Sequence, residues 1–101
     1  MPGEKRELKE ERRFYVYEVD TELGLMVYVY DKEVIEENLI EGLKYNRECS
    51  SSDIEALAAA ASSLTFYGEK AVELGISLGY IHPEAVTELN GVKVAMFMRL
   101  G

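Results

Sequence analysis

Cys49 carries the most nucleophilic type of side chain in this sequence, and it lies in the segment ECSSSD, directly before the start of a predicted helix. A helix N-terminus can lower the pKa of a nearby thiol and favour the reactive thiolate. Glu48 and Asp53 flank the position, however, and both repel anions. Cys49 is therefore a candidate reactive thiol, with an ordinary cysteine in a capping loop as the alternative. As the only cysteine, it excludes an intramolecular disulfide.

Metal binding and acid–base catalysis both require side chains that converge on one point. The single imidazole, His82, has only Glu84 close to it in sequence, and their spacing resembles no metal site. Most of the many glutamates follow the polar sides of predicted helices, where they form a solvated surface rather than a dry pocket. The sequence therefore predicts no catalytic residue, no metal and no cofactor, and it favours a non-enzyme over an enzyme.

Aromatic side chains form the clearest candidate for a binding surface. Four tyrosines alternate along two predicted strands: Tyr15, Tyr17, Tyr28 and Tyr30. If Tyr17 pairs with Tyr28, all four share one face of a sheet. The last strand would add three side chains to that face: Phe97, Lys93 and Arg99. This arrangement suits a protein interface, because tyrosine buries a large area while its hydroxyl remains polar.

The same face permits two other interpretations. A sheet that presents aromatic rings beside cations can stack and hold single-stranded nucleic acid. Strand propensity alone also places tyrosines on partly exposed sheets. Because only Lys93 and Arg99 supply positive charge there, in a chain with a formal net charge of -8, nucleic acid is the least favoured partner.

The tyrosine face depends on a β-hairpin at the start of the chain. Phe14 to Asp20 (FYVYEVD) and Leu25 to Tyr30 (LMVYVY) are rich in β-branched and aromatic residues, which is typical of strands, and Thr21 to Gly24 forms the turn. The opposite face then carries apolar side chains: Phe14, Val16, Val27 and Val29. A slip of one residue in the register would mix the two sets.

Ser51 to Tyr80 is predicted to form one long helix, around which the rest of the chain is organised. At about 100° per residue, its polar residues fall on one line: Glu55, Ser62, Glu69 and Glu73. Ser52 and Glu55 fit a capping box at its start, and residues 56–61 favour helix because they are rich in alanine. Glycines inside the segment oppose this interpretation, and a break at Gly68 is the alternative.

Small residues on one side of that helix would let another backbone approach closely: Gly68, Ala71, Gly75 and Gly79. The approaching backbone is either a second copy of the chain or the chain's own sheet. We favour the dimer slightly, because the apolar side of the predicted helix is so broad. Phe66 lies in the polar line, where an exposed phenylalanine would mark a further contact.

Three further elements follow from local signals. Asp31 caps a predicted helix from Lys32 to Tyr45. Asn90-Gly91 forms a hairpin turn before a strand from Val92 to Leu100, whose side chains alternate clearly. Residues 85–89 are predicted to be a short strand, with a short helix as the alternative.

The element order β-β-α-α-(β)-β predicts an α+β fold in a single domain over residues 14–101. We expect an antiparallel sheet of three to four strands with two helices on one face, the second helix being long. Residues 1–13 are nearly all charged and are predicted to be a flexible terminus.

The acidic composition limits the classes of function. A net charge of -8 disfavours binding to nucleic acid phosphates and to anionic membranes. The longest uncharged run, Ala56 to Gly68, is shorter than the ~20 residues that a bilayer span needs, and the charged start does not resemble a signal peptide. We therefore predict a cytoplasmic protein. Abundant charge without glutamine or tryptophan also resembles thermophile usage.

No motif in the sequence identifies a ligand or a pathway. The features above favour a small non-catalytic protein-interaction or regulatory module that acts as a homodimer, through either the tyrosine face or the small-residue side of the long helix. One alternative is a small enzyme or redox-sensitive protein that uses the Cys49 loop. The other is a single-stranded nucleic-acid accessory protein that uses the tyrosine face together with Phe97.

Overall fold

Residues 11–100 are described by the computed structural model, and they form six strands, three helices and a short 3-10 turn at Pro83–Ala85. The strands are β1 (Arg13–Thr21), β2 (Gly24–Tyr30), β3 (Arg47–Ser50), β4 (Ser63–Tyr67), β5 (Thr87–Leu89) and β6 (Val92–Met98). The helices are α1 (Lys32–Glu36), α2 (Ser51–Ala60) and α3 (Glu69–Ser77). All six strands join one sheet in the order β3-β1-β2-β4-β6-β5.

The sheet is mixed rather than antiparallel throughout. β2 and β4 run parallel, and the other neighbouring pairs are antiparallel. The α+β class is therefore confirmed, but the predicted three to four strands, the purely antiparallel sheet and the element order are wrong. A parallel pair needs a long crossover connection, and α1, β3 and α2 supply it between β2 and β4.

The predicted helix from Ser51 to Tyr80 is in fact three elements, α2, β4 and α3. The chain leaves α2 after Ala60 and forms β4 in the middle of the sheet, between β2 and β6. Gly68, with a φ of 114°, then turns the chain into α3. The alternative prediction of a break at Gly68 is therefore correct, because α3 starts directly after this residue. That alternative did not predict the strand β4 before Gly68.

α2 starts before its predicted capping box. Ser50, not Ser52, is the N-cap: its hydroxyl accepts a hydrogen bond from the backbone N–H of Asp53, and the Asp53 carboxylate accepts one from the N–H of Ser50. These bonds satisfy donors that the first turn of a helix leaves without partners.

α1 ends at Glu36, well before the predicted end at Tyr45. Asn38 has a φ of 51°, a left-handed conformation that asparagine tolerates and that terminates a helix. The backbone N–H of Leu39 donates to the carbonyl of Val34 and closes this end. The chain then runs as a loop into β3, a strand that was not predicted.

Both hairpins form as predicted. In the first, Tyr17 pairs with Tyr28, so the predicted register is confirmed. In the second, Asn90 and Gly91 have φ values of 51° and 79° and join β5 to β6, as in a type I′ turn. Thr87–Leu89 forms the predicted short strand, while Ala85 ends the 3-10 turn that starts at Pro83, so each of the two alternatives is right for part of residues 85–89.

The helices cover both faces of the sheet, not one face as predicted. α2 and α3 pack on the face that carries the main core, which includes Phe14, Val16, Val27, Val29, Ile54, Leu64, Phe66 and Val72. α1 lies on the opposite face, where Val34 packs with Tyr30 and Val92. Burial of these two apolar sets holds the strands in register, since a slip would expose them.

The predicted start of the folded domain lies close to the start of β1. Residues 1–10 are outside the described residues, so a flexible terminus there stays a prediction. Arg12 and Arg13, which the prediction placed in that segment, form ion pairs with Glu73 of α3 and Glu48 of β3 at 2.7 and 2.9 Å.

Candidate functional site

The tyrosine face is the α1 side of the sheet, where side chains form rows across neighbouring strands. One row contains Tyr15, Tyr30 and Tyr67, and the next contains Tyr17, Tyr28 and Thr65. The register thus confirms that the four predicted tyrosines share a face, whereas their role in an interface is a separate proposal. Tyr67 was not predicted to join them, because it belongs to the unpredicted strand β4.

α1 and the loop after it cover one half of this face. The hydroxyl of Tyr30 donates to the carbonyl of Lys44 at 2.9 Å, and burial raises the pKa of this phenol. The hydroxyl of Tyr15 donates to Glu36 at 2.8 Å, which raises the pKa of Tyr15 to about 12. The ring of Tyr45 lies 4.6 Å from that of Tyr15. The chain's own side chains therefore occupy this half.

The other half of the tyrosine face is open, and methionines dominate it. Met98 lies in a row with Ser63 and Met26, and Met96 lies in a row with Thr65 and Tyr28. Met96 and Met98 are 59% and 60% exposed. Met26 and Met98 also line a surface pocket of about 430 Å³ beside Leu23. We name Met26, Met96 and Met98 the methionine end of the tyrosine face.

Phe97 lies on the opposite face of β6 and does not join the tyrosines. Its ring centroid is 4.9 Å from that of Tyr80, at the margin of the main core. Arg99 is on the same side as Phe97, and its guanidinium donates to the carbonyls of Ala58 and Ala61 at the end of α2. The predicted alternation along β6 is right, but β6 turns its other side to the tyrosines. The prediction that Phe97 and the two cations extend the tyrosine face is therefore wrong, and the case for nucleic acid weakens with it.

The small residues predicted to face a partner helix lie against the chain's own sheet. A Cβ added to Gly75 would lie 2.9 Å from Phe66 of β4 and 2.9 Å from Ile81. Ala71 and Phe66 are fully buried, so Phe66 marks the core rather than an exposed contact. Gly79, with a φ of 88°, turns the chain after α3. The close approach at this place is thus between α3 and β4, which was the alternative to a dimer contact.

Asp31 is a buried carboxylate that holds the start of α3, a role that was not predicted. It occupies the N-cap position of α1 as expected, but its side chain forms no cap hydrogen bond there. Its oxygens instead accept hydrogen bonds from the backbone N–H groups of Lys70 and Ala71 at 3.0 and 2.7 Å. Gly68 makes room for it, since a Cβ there would overlap the Asp31 carboxyl group. Burial raises the pKa of Asp31, and the two backbone hydrogen bonds oppose this rise. Both oxygens are committed to the fold, so Asp31 is a structural carboxylate.

Cys49 is fully buried in β3, opposite Phe14 of β1. Burial raises the pKa of the thiol, which works against the thiolate that a nucleophile requires. The cysteine does precede α2 as expected, but the Ser50 hydroxyl and the Glu11 carboxylate already accept hydrogen bonds from the N–H groups of Asp53 and Ser52 in the first turn of that helix. These observations disfavour an enzyme or redox-sensitive protein that acts through Cys49.

Residues 11–100 contain no grouped metal ligands and no helix suited to a membrane. No three His, Cys, Asp or Glu side chains in this range are grouped so that they could hold a metal ion. His82 caps the turn at Pro83–Ala85, where its Nδ1 accepts a hydrogen bond from the N–H of Glu84. No helix in the same range is long and apolar enough to cross a bilayer.

The fold and this surface define a small α+β protein with a mixed six-stranded sheet and an open apolar strip on one face. Residues 9–100 match the family described as "Protein of unknown function (DUF424)", and the chain belongs to this family. The fold is similar to one described as "Crystal structure of an uncharacterized conserved protein from Methanopyrus kandleri", with a TM-score of 0.59 and 16% identity over 88% of this chain and 95% of that chain. Identity this low shows a common fold alone. No curated protein sequence matches the chain.

Proposed function

We propose that this protein is a small, non-catalytic interaction module of the cytoplasm, and that it acts as a homodimer through the methionine end of its tyrosine face. The observation that carries the proposal is the exposure of Met96 and Met98 beside the half-buried rings of Tyr17 and Tyr28. Contiguous exposed apolar surface on a small protein typically marks a contact. A second copy would remove this surface from water, which is favourable.

The charge distribution permits a second copy to bind at the methionine end. The chain carries a formal net charge of -8, so two copies repel each other wherever their carboxylates approach. Ala95 to Leu100 (AMFMRL) contains no carboxylate, and the methionine end is uncharged. Contact at this place brings apolar surfaces together while the acidic surfaces of the two copies stay apart.

The non-catalytic part of the proposal is supported by the two groups with the strongest claim to reactivity. The thiol of Cys49 is buried, and this burial raises its pKa, which disfavours the reactive thiolate. The carboxylate of Asp31 is 4% exposed, and both of its oxygens accept hydrogen bonds from α3. Burial of the thiol and the hydrogen bonds of the carboxylate therefore support structural roles for both groups.

The mass in solution tests the proposal. Light scattering over a dilution series should give twice the 11.4 kDa chain mass at high concentration and approach the single-chain mass on dilution. A wild-type protein that stays monomeric at every concentration would contradict the homodimer.

A pair of matched variants locates the contact. Met98→Glu should leave the protein folded but monomeric, because it places a carboxylate from each copy in the interface. Leu89→Glu adds the same charge to a residue that is 49% exposed on β5, away from the methionine end, and it should remain dimeric. If Met98→Glu dimerised as well as Leu89→Glu, the contact would lie elsewhere on the molecule.

A further inference from the structure

We infer that two copies of the protein pair edge to edge through β6, so that their sheets join into one continuous sheet about a two-fold axis at Phe97. The pairing rests on the proposed homodimer and specifies its contact, which consists of backbone hydrogen bonds between strands rather than of two stacked faces. The direction of the β6 backbone groups, the gap beside the second half of β6 and the obstruction above the tyrosine face all support it.

The backbone of β6 points alternately toward β4 and away from it. The carbonyl of Lys93 and the N–H of Arg99 both form hydrogen bonds on the β4 side, at 2.8 Å each. Since adjacent residues in a strand turn their N–H and C=O groups to opposite sides, Met96 and Met98 direct theirs away from β4. These groups lie on the outer edge of the sheet.

β5 covers only the first half of this outer edge. It pairs with β6 from Val92 to Val94, and the ladder stops there. Before Thr87 the chain bends toward α3, and Val86 packs against the main core. Within residues 11–100, no strand therefore lies beside the outward N–H and C=O groups of Met96 and Met98. An edge of this kind is a template for another strand.

A second copy of β6 fits the free edge in antiparallel register over residues 95–99. Beyond this stretch Thr87 of β5 already pairs with Val94, so Leu100 of each copy turns away from β5 of the other. With Phe97 opposite the partner's Phe97, Met96 pairs with Met98 of the partner subunit, and each such pair exchanges both of its backbone hydrogen bonds. The exposed methionines of both copies then lie side by side on one face, where their flexible side chains can pack. Each copy uses the same residues, as a two-fold dimer requires.

The competing arrangement stacks two tyrosine faces, and α1 obstructs it. Stacked sheets lie about 10 Å apart, and a helix with its side chains has about the same diameter. α1 and the loop after it stand on this face over Tyr30, so a second sheet would meet them before it reached Met96. Edge pairing avoids the obstruction, because it extends the sheet sideways.

Amide hydrogen exchange tests the pairing directly. At concentrations where light scattering gives a dimer, the amides of Met96 and Met98 should exchange about 100-fold more slowly than in the diluted monomer, since pairing places them in a ladder. The amides of Ala95 and Phe97 are the internal control. They point toward β4 in both states and should be protected at every concentration.

The possible outcomes distinguish a failure of the edge-to-edge pairing from a failure of the proposed homodimer on which the pairing rests. Protection of Met96 and Met98 that develops only in the dimer supports edge pairing. A dimer in which both amides exchange as fast as in the monomer overturns edge pairing and leaves the homodimer in place. A protein that stays monomeric at every concentration overturns both.

Discussion

The two edges of the sheet differ in how they are closed. Where β3 stops beside Val16, the side chain of Asn46 continues the ladder: it accepts a hydrogen bond from the N–H of Glu18 and donates one to its carbonyl, at 3.1 and 3.0 Å. Arg47 forms an ion pair with Glu18 at 2.7 Å on the same edge. Where β5 stops beside Val94, no side chain of the described part of the chain plays the role of Asn46.

This difference indicates which edge accepts a partner. Proteins commonly block a sheet edge with charges or cover it, because an open edge pairs with other strands. At the β1 edge, the Asn46 side chain occupies the backbone hydrogen-bonding groups of Glu18, and Arg47 and Glu18 form an ion pair. Addition of a strand at this edge is therefore disfavoured. The second half of β6 carries uncharged methionines instead. The difference therefore favours β6 over β3 as the edge for the proposed self-contact.

Proline substitutions along β6 should have the largest effects on stability and on dimerisation. Ala95→Pro removes an N–H that points toward β4 and leaves a buried carbonyl there without its partner, so it should lower the free energy of unfolding by about 1–3 kcal/mol. Met96→Pro removes only an outward N–H, so the monomer should lose much less stability while dimerisation is lost. Urea unfolding and light scattering measure the two quantities. Equal destabilisation by both prolines would contradict the backbone directions assigned to β6.

Opening the β1 edge should have an intermediate effect. Asn46→Ala removes both hydrogen bonds to Glu18 and should lower the free energy of unfolding by about 1–2 kcal/mol. Asn46→Asp keeps the acceptor but turns a carboxylate oxygen toward the Glu18 carbonyl, where two acceptors repel each other, so its loss should be at least as large as that of Asn46→Ala. Chemical denaturation measures both variants. Unchanged stability in Asn46→Ala would mean that the amide does not close this edge.

Lowering the pH should have the smallest effect on the free energy of unfolding, and this effect should come from the ion pairs of Glu48 in β3. Lys32 and Arg13 bind the Glu48 carboxylate and lower its pKa. Because the folded pKa lies below the unfolded value of about 4.3, these ion pairs stabilise the protein above that value, and the stabilisation is lost as the pH falls through the folded pKa. The exposed position of the pairs keeps the effect small.

Glu48→Gln isolates this contribution to the pH profile. The variant should show a flatter acid limb when the free energy of unfolding is measured against pH. Glu88→Gln on β5 is the control, since Glu88 forms no ion pair with any residue between 11 and 100. An acid limb that is as steep in Glu48→Gln as in the wild type would show that the ion pairs of β3 contribute nothing.

Sequence patterns predict those strands whose two faces differ. The alternation in β1, β2 and β6 and the turn at Asn90-Gly91 were sufficient for both hairpins and for the pairing of Tyr17 with Tyr28. β4 gave no such signal, because Leu64 and Thr65 are buried on opposite faces, and a short strand buried on both faces has no polar alternation. Helical segments on either side of β4 happen to share a phase, so the three elements resembled one helix.

The candidate site was harder to predict because it depends on that strand. Without β4 between β2 and β6, nothing local determines which side of β6 lies with the tyrosines. The sequence alone therefore predicts Phe97 on that face, whereas the structure places Met96 there. The extent of the open half depends on α1, which ends early through the left-handed Asn38. Asp31 contacts α3 across about 40 residues of sequence, so no local sequence pattern could predict this contact.

Asp31 also links the formation of α3 to the pairing of distant strands. It follows β2, whereas α3 follows β4, so its carboxylate reaches Lys70 and Ala71 only once β2 and β4 lie side by side. A peptide that spans α3 alone lacks this cap, and nucleation is the unfavourable step in helix formation. During folding, α3 should therefore form late, in the same cooperative step as the parallel strand pair, rather than as an early independent unit.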